Sequence, residues 1–414
     1  MQWFNTITAT PKKRAATLVA LGCCATLSLA PFFIWPLLFV SACGWLALLM
    51  RAETAGQAFR TGWWWGLGFF VGGLYWTSIS LLVDVERFAW MIPFSLLGLN
   101  GLIAIFPGLA CLGWFYLVKK ITLPGAGGSL VAVLLFALCW SISEFARTVL
   151  LTGFPWNLIG YAWGEAESAM QVASLIGIHG LTLATMLLSL IPLLYKHGEK
   201  QVAVRILFAW MLMLAWGMWR IDQAPLEAPT DQPTVRVVQA AIPQSLKWDP
   251  RARVEGIHRH IKLTREADGV ADIIIWPESA VPIAINKEPM LERDLAALLV
   301  DHQLLITGSI RVEEVNPLRV YNSIYTLNRA GTRHVYDKHH LVPFGEFVPF
   351  RSILPLDKIT PGDTDYSRGP GPQTVTLLPI PPACGGDVRG GKATRLDPSM
   401  DCSLGTAPPR KRGG

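Results

Sequence analysis

Apolar stretches long enough to cross a bilayer recur at about residues 15–30, 32–50, 63–83, 90–118, 129–150, 168–195 and 203–220, and nothing constrains the fold of this chain more. In hydrocarbon every backbone N–H and C=O must be satisfied within its own segment, so such stretches become helices of a membrane bundle. Composition agrees, with 51% hydrophobic and 16% charged residues and 17 Trp in 414. Lys12-Lys13-Arg14, Arg51 with Arg60, Lys119-Lys120, and Lys196 with Lys200 and Arg205 fall in alternate connections. The positive-inside rule then places the N-terminus in the cytoplasm and, after about seven spans, everything beyond Arg220 on the outer side. These positions account for much of the net charge of +6, and nucleic acid is set aside as a partner.

Cys23, Cys24, Cys43, Cys111 and Cys139 lie in apolar runs, while Cys384 and Cys402 lie near the C-terminus, so no disulfide framework is legible. "LGCC" is followed by a long apolar stretch, which points to core packing and not to a lipoprotein processing site. Gly68 and Gly72, four apart in "GLGFFVGG", predict close helix packing. Glu144 and Arg147, three apart in the fifth span, form an intrahelical ion pair or meet a lipid headgroup or the following domain. "TGFPWNLIGYAW" (152–163) has the content of an interfacial loop.

These features divide the chain into a bundle at 1–222, a Pro-rich linker at 223–233, an α/β domain at 234–383 and an aberrant tail at 384–414. In the α/β domain, 235–242, 272–277, 304–310, 321–328 and 332–340 read as strands, with helices near 250–267 and 289–300. Ligands collect beyond the carboxyl ends of strands in such sheets, and "IIIWPESAVP" delivers Glu278 at one of those ends. Beside Trp276 and Pro277 its carboxylate should be partly desolvated and suited to take a proton near neutral pH. "YDKHHLVPFGEFVPF" then offers Lys338 at another strand end. Eight residues on, it places Glu346 in a loop stiffened by Pro343, Phe344, Gly345, Phe347 and Pro349.

With "AIPQSLKWDP" these two motifs, in this order behind a multi-span N-terminal half, resemble the apolipoprotein N-acyltransferases over about residues 12–380. Those are bacterial inner-membrane enzymes with a nitrilase-like αββα sandwich domain in the periplasm. The resemblance implies a Glu-Lys-Cys triad in which Glu278 matches the general base and Lys338 the residue that steadies the oxyanion. It implies that Glu346 matches a second essential glutamate and Trp248 a tryptophan in the lipid-facing part of the site. The implied substrates are a phospholipid acyl donor, typically phosphatidylethanolamine, and the α-amino group of a diacylglyceryl-modified apolipoprotein, with no metal or other cofactor.

The pattern breaks at the nucleophile, because no cysteine stands between Ile221 and Ala383. Cys384 is near the expected place, but it follows Pro381-Pro382 and precedes Gly385-Gly386, where a strand and an acidic neighbour should be; Cys402 matches less well. A reading frame lost near residue 383 explains a tail of unrelated composition and predicts an incomplete domain and a chain without acyltransferase activity. His258 with His260 and His339 with His340 have spacings that point the rings apart, so they read as surface positions and not metal ligands. Two other functions compete. A nitrilase-type amidase would act on a small amide without needing a bundle, and a non-catalytic membrane scaffold would tolerate loss of Glu278 and Lys338.

Overall fold

The computed structural model describes residues 6, 8–82, 85–121, 127–151, 153–224, 232–243, 246, 249, 251–349 and 364–377. The N-terminal part is helical: α1 (Pro11–Thr26), α2 (Leu37–Leu49), α3 (Ala55–Leu74), α4 (Ile105–Ile121), α5 (Gly127–Val149), α6 (Ala173–Ser189) and α7 (Lys200–Asp222). Among the described residues, five segments are long and apolar enough to cross a membrane: Ala55–Leu82, Ala89–Ile121, Gly128–Val149, Ala173–Lys196 and Lys200–Asp222. The first two expected spans are instead helices of 16 and 13 residues. Pro31 and Pro36 separate them, since proline lacks the N–H and clashes with the preceding turn.

The α1–α3 crossing is built on glycine. A Cβ on Gly68 would lie 2.1 Å from the Val19 carbonyl oxygen, and one on Gly22 would lie 2.1 Å from that of Trp65. Behind this contact Trp45 of α2 stacks on Trp65 of α3 at 3.9 Å, and Trp140 of α5 meets both edge-on at 5.3 Å. Each such pair contributes about 0.5–1.5 kcal/mol beyond the burial of its area.

Glu144 and Arg147 of α5 are buried, each about 1% exposed, and their contacts are with the chain itself. Arg147 Nη1 donates to the carbonyls of Phe154 and Trp156 at 2.6 Å, and Glu144 Oε1 accepts from the Ile159 N–H at 3.1 Å. The pair latches the loop after α5 onto the bundle. That loop brings Trp156 to Leu29, Phe32 and Phe33 of the α1–α2 turn and to Tyr75 and Trp76, around a cavity of about 670 Å³.

The second region is a mixed six-stranded sheet: β1 (Val235–Val237), β2 (Ile273–Ile275), β3 (Val281–Ala284), β4 (Leu304–Glu313), β5 (Arg319–Asn328) and β6 (Gly331–Asp337). The order is β1-β2-β4-β5-β6, with β3 also paired to β4; β1, β2 and β4 run parallel, β5 runs antiparallel to β4, and β6 runs antiparallel to β5. Helix α8 (Ala252–Glu266) links β1 to β2, and α9 (Pro289–Ala296) lies between β3 and β4. Ile257 of α8 and Leu295 of α9 share one core with Ile274, Leu305, Tyr325 and Leu327.

Strand side chains alternate between faces, so Ile275, Ile306, Ile324 and Tyr336 point the other way. They line a cavity of about 330 Å³, and Ile324 is 46% exposed. The sheet therefore has one helix-covered face and one open face. The five expected strands are all present, and β3 is an addition that its short length and Pro282 hid.

Candidate functional site

At the end of β2 the chain divides its side chains by chemistry. Trp276 is buried beneath α8, where its indole N–H donates to Thr264 Oγ1 at 3.0 Å. Two residues on, Glu278 emerges in a turn in which Ser279 takes φ 52°. This turn rests on β4 at Gly308, where a Cβ would lie 2.4 Å from the Ser279 nitrogen and 2.7 Å from Glu278 Cα. Only glycine allows the two backbones so close.

Glu278, Lys338 and Glu346 converge although 68 residues separate the first from the last. Lys338 Nζ donates to Glu278 Oε1 at 3.2 Å and to Glu346 Oε1 at 2.9 Å. Asn322 of β5 holds the same two oxygens, its Nδ2 lying 2.5 Å from Glu278 Oε1 and 2.9 Å from Glu346 Oε1. Sequence reasoning missed Asn322. The available signal was a polar, strand-disfavoured residue on the same face of β5 as Ile324. Lys338 is fixed just past β6, where its N–H donates to the Asn322 carbonyl at 2.8 Å and its carbonyl accepts from Gly369 at 2.9 Å.

The two carboxylates live in different surroundings. Glu346 has only 9% of its side chain exposed, and its Oε2 accepts from the Val342 N–H at 2.8 Å. The loop around it closes on itself through Glu346 N to Val342 O at 2.8 Å and Phe344 N to Phe347 O at 2.7 Å, with Phe344 at φ 63°. Glu278 has 63% of its side chain exposed. The desolvation expected from its apolar neighbours is therefore not met, because Trp276 turns under the helix and the carboxylate turns out over the open face.

Burial pulls the Lys338 ammonium down, but the hydrogen bond it donates to Glu346 and the charges of Glu278 and Glu346 outweigh it and hold the group above the ordinary lysine value. Burial, reinforced by both carboxylates, pushes the Tyr366 hydroxyl up to about 12. A proton-accepting carboxylate open to solvent beside a fixed ammonium can move a proton and stabilise a nascent oxyanion within one site.

Lys338 already supplies the positive charge between the carboxylates, and no group of three or more metal-ligating side chains occurs among the described residues. His258 is exposed, but His260 is not the surface residue its spacing suggested. It is 2% exposed, with Nδ1 2.8 Å from the Gly256 carbonyl and its ring 5.1 Å from that of Trp276, because it lies on the buried face of α8. Trp248, Cys384 and Cys402 lie outside the described residues.

Comparison with known proteins returns two family matches. Residues 21–191 match the apolipoprotein N-acyltransferase N-terminal domain, and residues 234–365 match carbon-nitrogen hydrolase. Curated relatives named apolipoprotein N-acyltransferase include those of Rhodopseudomonas palustris (35% identical over 361 residues), Brucella melitensis (34% over 356) and Agrobacterium fabrum (36% over 354). In each comparison 81% of this chain is covered, and the chain spans 65% of the relative's length. With both domains matched in this order and the motif residues gathered at the strand ends over the open face, the chain is similar along both domains to the apolipoprotein N-acyltransferases.

Proposed function

We propose that the site serves phospholipid-dependent N-acylation of a lipoprotein's N-terminal diacylglyceryl-cysteine. The convergence of Glu278, Glu346 and Asn322 on Lys338 carries this reading. Glu278 takes the proton of a cysteine thiol as the sulfur attacks the acyl ester of a phospholipid such as phosphatidylethanolamine. The C–S bond forms, the ester C–O bond breaks, and the proton passes to the leaving alkoxide to release a lysophospholipid. Lys338 faces the oxyanion of the tetrahedral intermediate, and Glu346 keeps its ammonium in place. In the second step the acceptor amine attacks the thioester, Glu278 takes the amine proton, and the thiol is restored. Trp248 contributes to the lipid-facing wall. The bundle, about 1–222, holds both substrates at the membrane and presents the α/β domain, 234–383, on the periplasmic side of the inner membrane.

The thiol must come from outside residues 222–383, and Cys384 is the first cysteine beyond them. The test is acyl transfer from radiolabelled phospholipid to a diacylglyceryl-cysteine peptide by the full chain in vesicles, alongside Glu278→Gln, Lys338→Ala and Cys384→Ala, with hydroxylamine-sensitive label on the protein as the thioester readout. Transfer lost in each variant supports the assignment. Full transfer in Glu278→Gln or Lys338→Ala overturns it, and absence of both transfer and thioester from the unmodified chain restricts the reading to descent without activity.

A further inference from the structure

We infer that Arg311 and Asp337, on the helix-covered face of the sheet, are positioning residues that set the spacing between Glu278 and Lys338 on the open face. Glu278 and Lys338 are carried by different strands. The Glu278 turn sits on β4 through Gly308, and Lys338 follows directly on β6, with the whole of β5 between them. Arg311, three residues beyond Gly308, reaches across β5 and grips Asp337, the residue before Lys338. Its Nε lies 2.9 Å from Asp337 Oδ1 and its Nη2 lies 2.6 Å from Oδ2. Ser323 of β5 adds a hydrogen bond to Oδ1 at 2.7 Å, and the guanidinium carbon stands 4.3 Å from the Tyr321 ring centroid.

The remaining arm, Nη1, is tied to Glu313 at 2.6 Å, so the guanidinium is held along two directions at once. Only 20% of the Arg311 side chain and 13% of that of Asp337 are exposed, so water competes little for this pair. A planar two-pronged guanidinium fixes both distance and angle, which a point-charge ammonium cannot do. Because Asp337 and Lys338 are neighbours, they point to opposite faces, and a brace on one face sets where the ammonium stands on the other. The link joins β4 to β6 directly, and the 3.2 Å separation of Glu278 and Lys338 depends on the same two strands. The Lys338 ammonium faces Glu278 and Glu346, whose charges also act on Tyr366, so its titration reports how closely those carboxylates are held.

The inference rests on reading Glu278 and Lys338 as the reacting pair, but its test needs no turnover. The full chain in detergent is labelled with trace acetic anhydride across pH, and the peptide containing Lys338 is quantified by mass spectrometry to give its titration midpoint. Arg311→Gln is expected to lower that midpoint by about one pH unit, because the carboxylates draw away while burial remains. If Arg311 acted only through its own positive charge, its removal would raise the midpoint. If it only stapled the sheet, the melting temperature would fall with the midpoint unchanged. Either result overturns the inference. Arg311→Lys keeps the charge and loses the two-pronged grip, and serves if the glutamine variant does not fold: a lowered midpoint supports positioning, and an unchanged one refutes it. A chain that transfers no acyl group still gives this titration, so failure of the proposed activity and failure of the inference are read separately.

Discussion

Glu346 offers the sharpest stability test, because its three accepted hydrogen bonds can be weighed one by one. Glu346→Ala removes acceptors from the Lys338 ammonium at 2.9 Å, the Asn322 amide at 2.9 Å and the Val342 N–H at 2.8 Å. A hydrogen bond involving a charged group is worth about 1.5–3 kcal/mol, which would suggest a large total. Two of the three donors recover, however. Lys338 has 31% of its side chain exposed and keeps Glu278, and Asn322 also keeps Glu278. The Val342 N–H loses its acceptor, and the loop loses its anchor to the sheet. The expected net cost is about 2–3 kcal/mol, a factor of about 30–150 in local opening.

Hydrogen–deuterium exchange of the full chain in detergent reads this directly. The amides of 342–347 should exchange faster by that factor, while peptides from α3 and α5 keep their rates. Glu346→Gln preserves the shape and one acceptor oxygen, and should show about a tenth of the effect. Unchanged exchange in 342–347 would mean that the loop is held by its own backbone bonds and that the carboxylate does not organise it. Equal acceleration in the bundle peptides would refute the locality of the argument.

Three further outcomes follow from the same geometry. Gly308→Ala places a Cβ within 2.4 Å of backbone, so residues 276–281 should lose exchange protection by at least tenfold; wild-type protection would show that the turn relaxes freely. Arg147→Met removes a buried guanidinium from two carbonyls and leaves Glu144 uncompensated, at a cost of about 3–5 kcal/mol. Limited proteolysis at 150–158 should then be faster, and an unchanged cleavage rate would show that the loop is held otherwise. Tyr366 at about 12 and Lys338 above its ordinary value both bind protons more tightly folded than unfolded. Their contributions are complete below about pH 10 and are lost as pH rises through the folded values. Denaturation of the α/β domain should therefore become easier from about pH 10 to 12, and a stability that stays flat across that window would contradict both assignments.

Much of this candidate site is legible in the sequence, because its residues stand in stiff, unusual contexts. An acid directly after "IIIWP" and another between Phe344-Gly345 and Phe347 have no place in an ordinary strand or turn. What could not be read was surroundings. Glu278 follows an apolar run yet is exposed, and His260 looks polar yet is buried, because both outcomes depend on which face the neighbouring helix covers. Asn322 was missed for a related reason: its role comes from the strand pairing that sets it beside Lys338, a relation between β5 and β6 and not a pattern within either. In the bundle, apolar length located α1 to α7 but overstated the first two, since hydropathy continues through Pro31 and Pro36 whereas helical hydrogen bonding does not.

Those two short helices have a consequence for the lipid around them. At 1.5 Å per residue, α1 and α2, with 16 and 13 residues, rise about 24 Å and about 20 Å. Hydrocarbon is about 30 Å thick, so the deficit is about 6–10 Å at this corner alone. The five segments long enough to cross, of 22 to 33 residues, carry none of it. Either the leaflets pinch inward beside α1 and α2, at a fraction of a kcal/mol per ångström, or Lys12, Lys13, Arg14 and Arg51 extend their stems to the headgroups to cover the gap. If α1 and α2 cross the bilayer, the mismatch is one-sided, and the thin flank is the one on which the aromatic cavity of the α1–α2 turn lies.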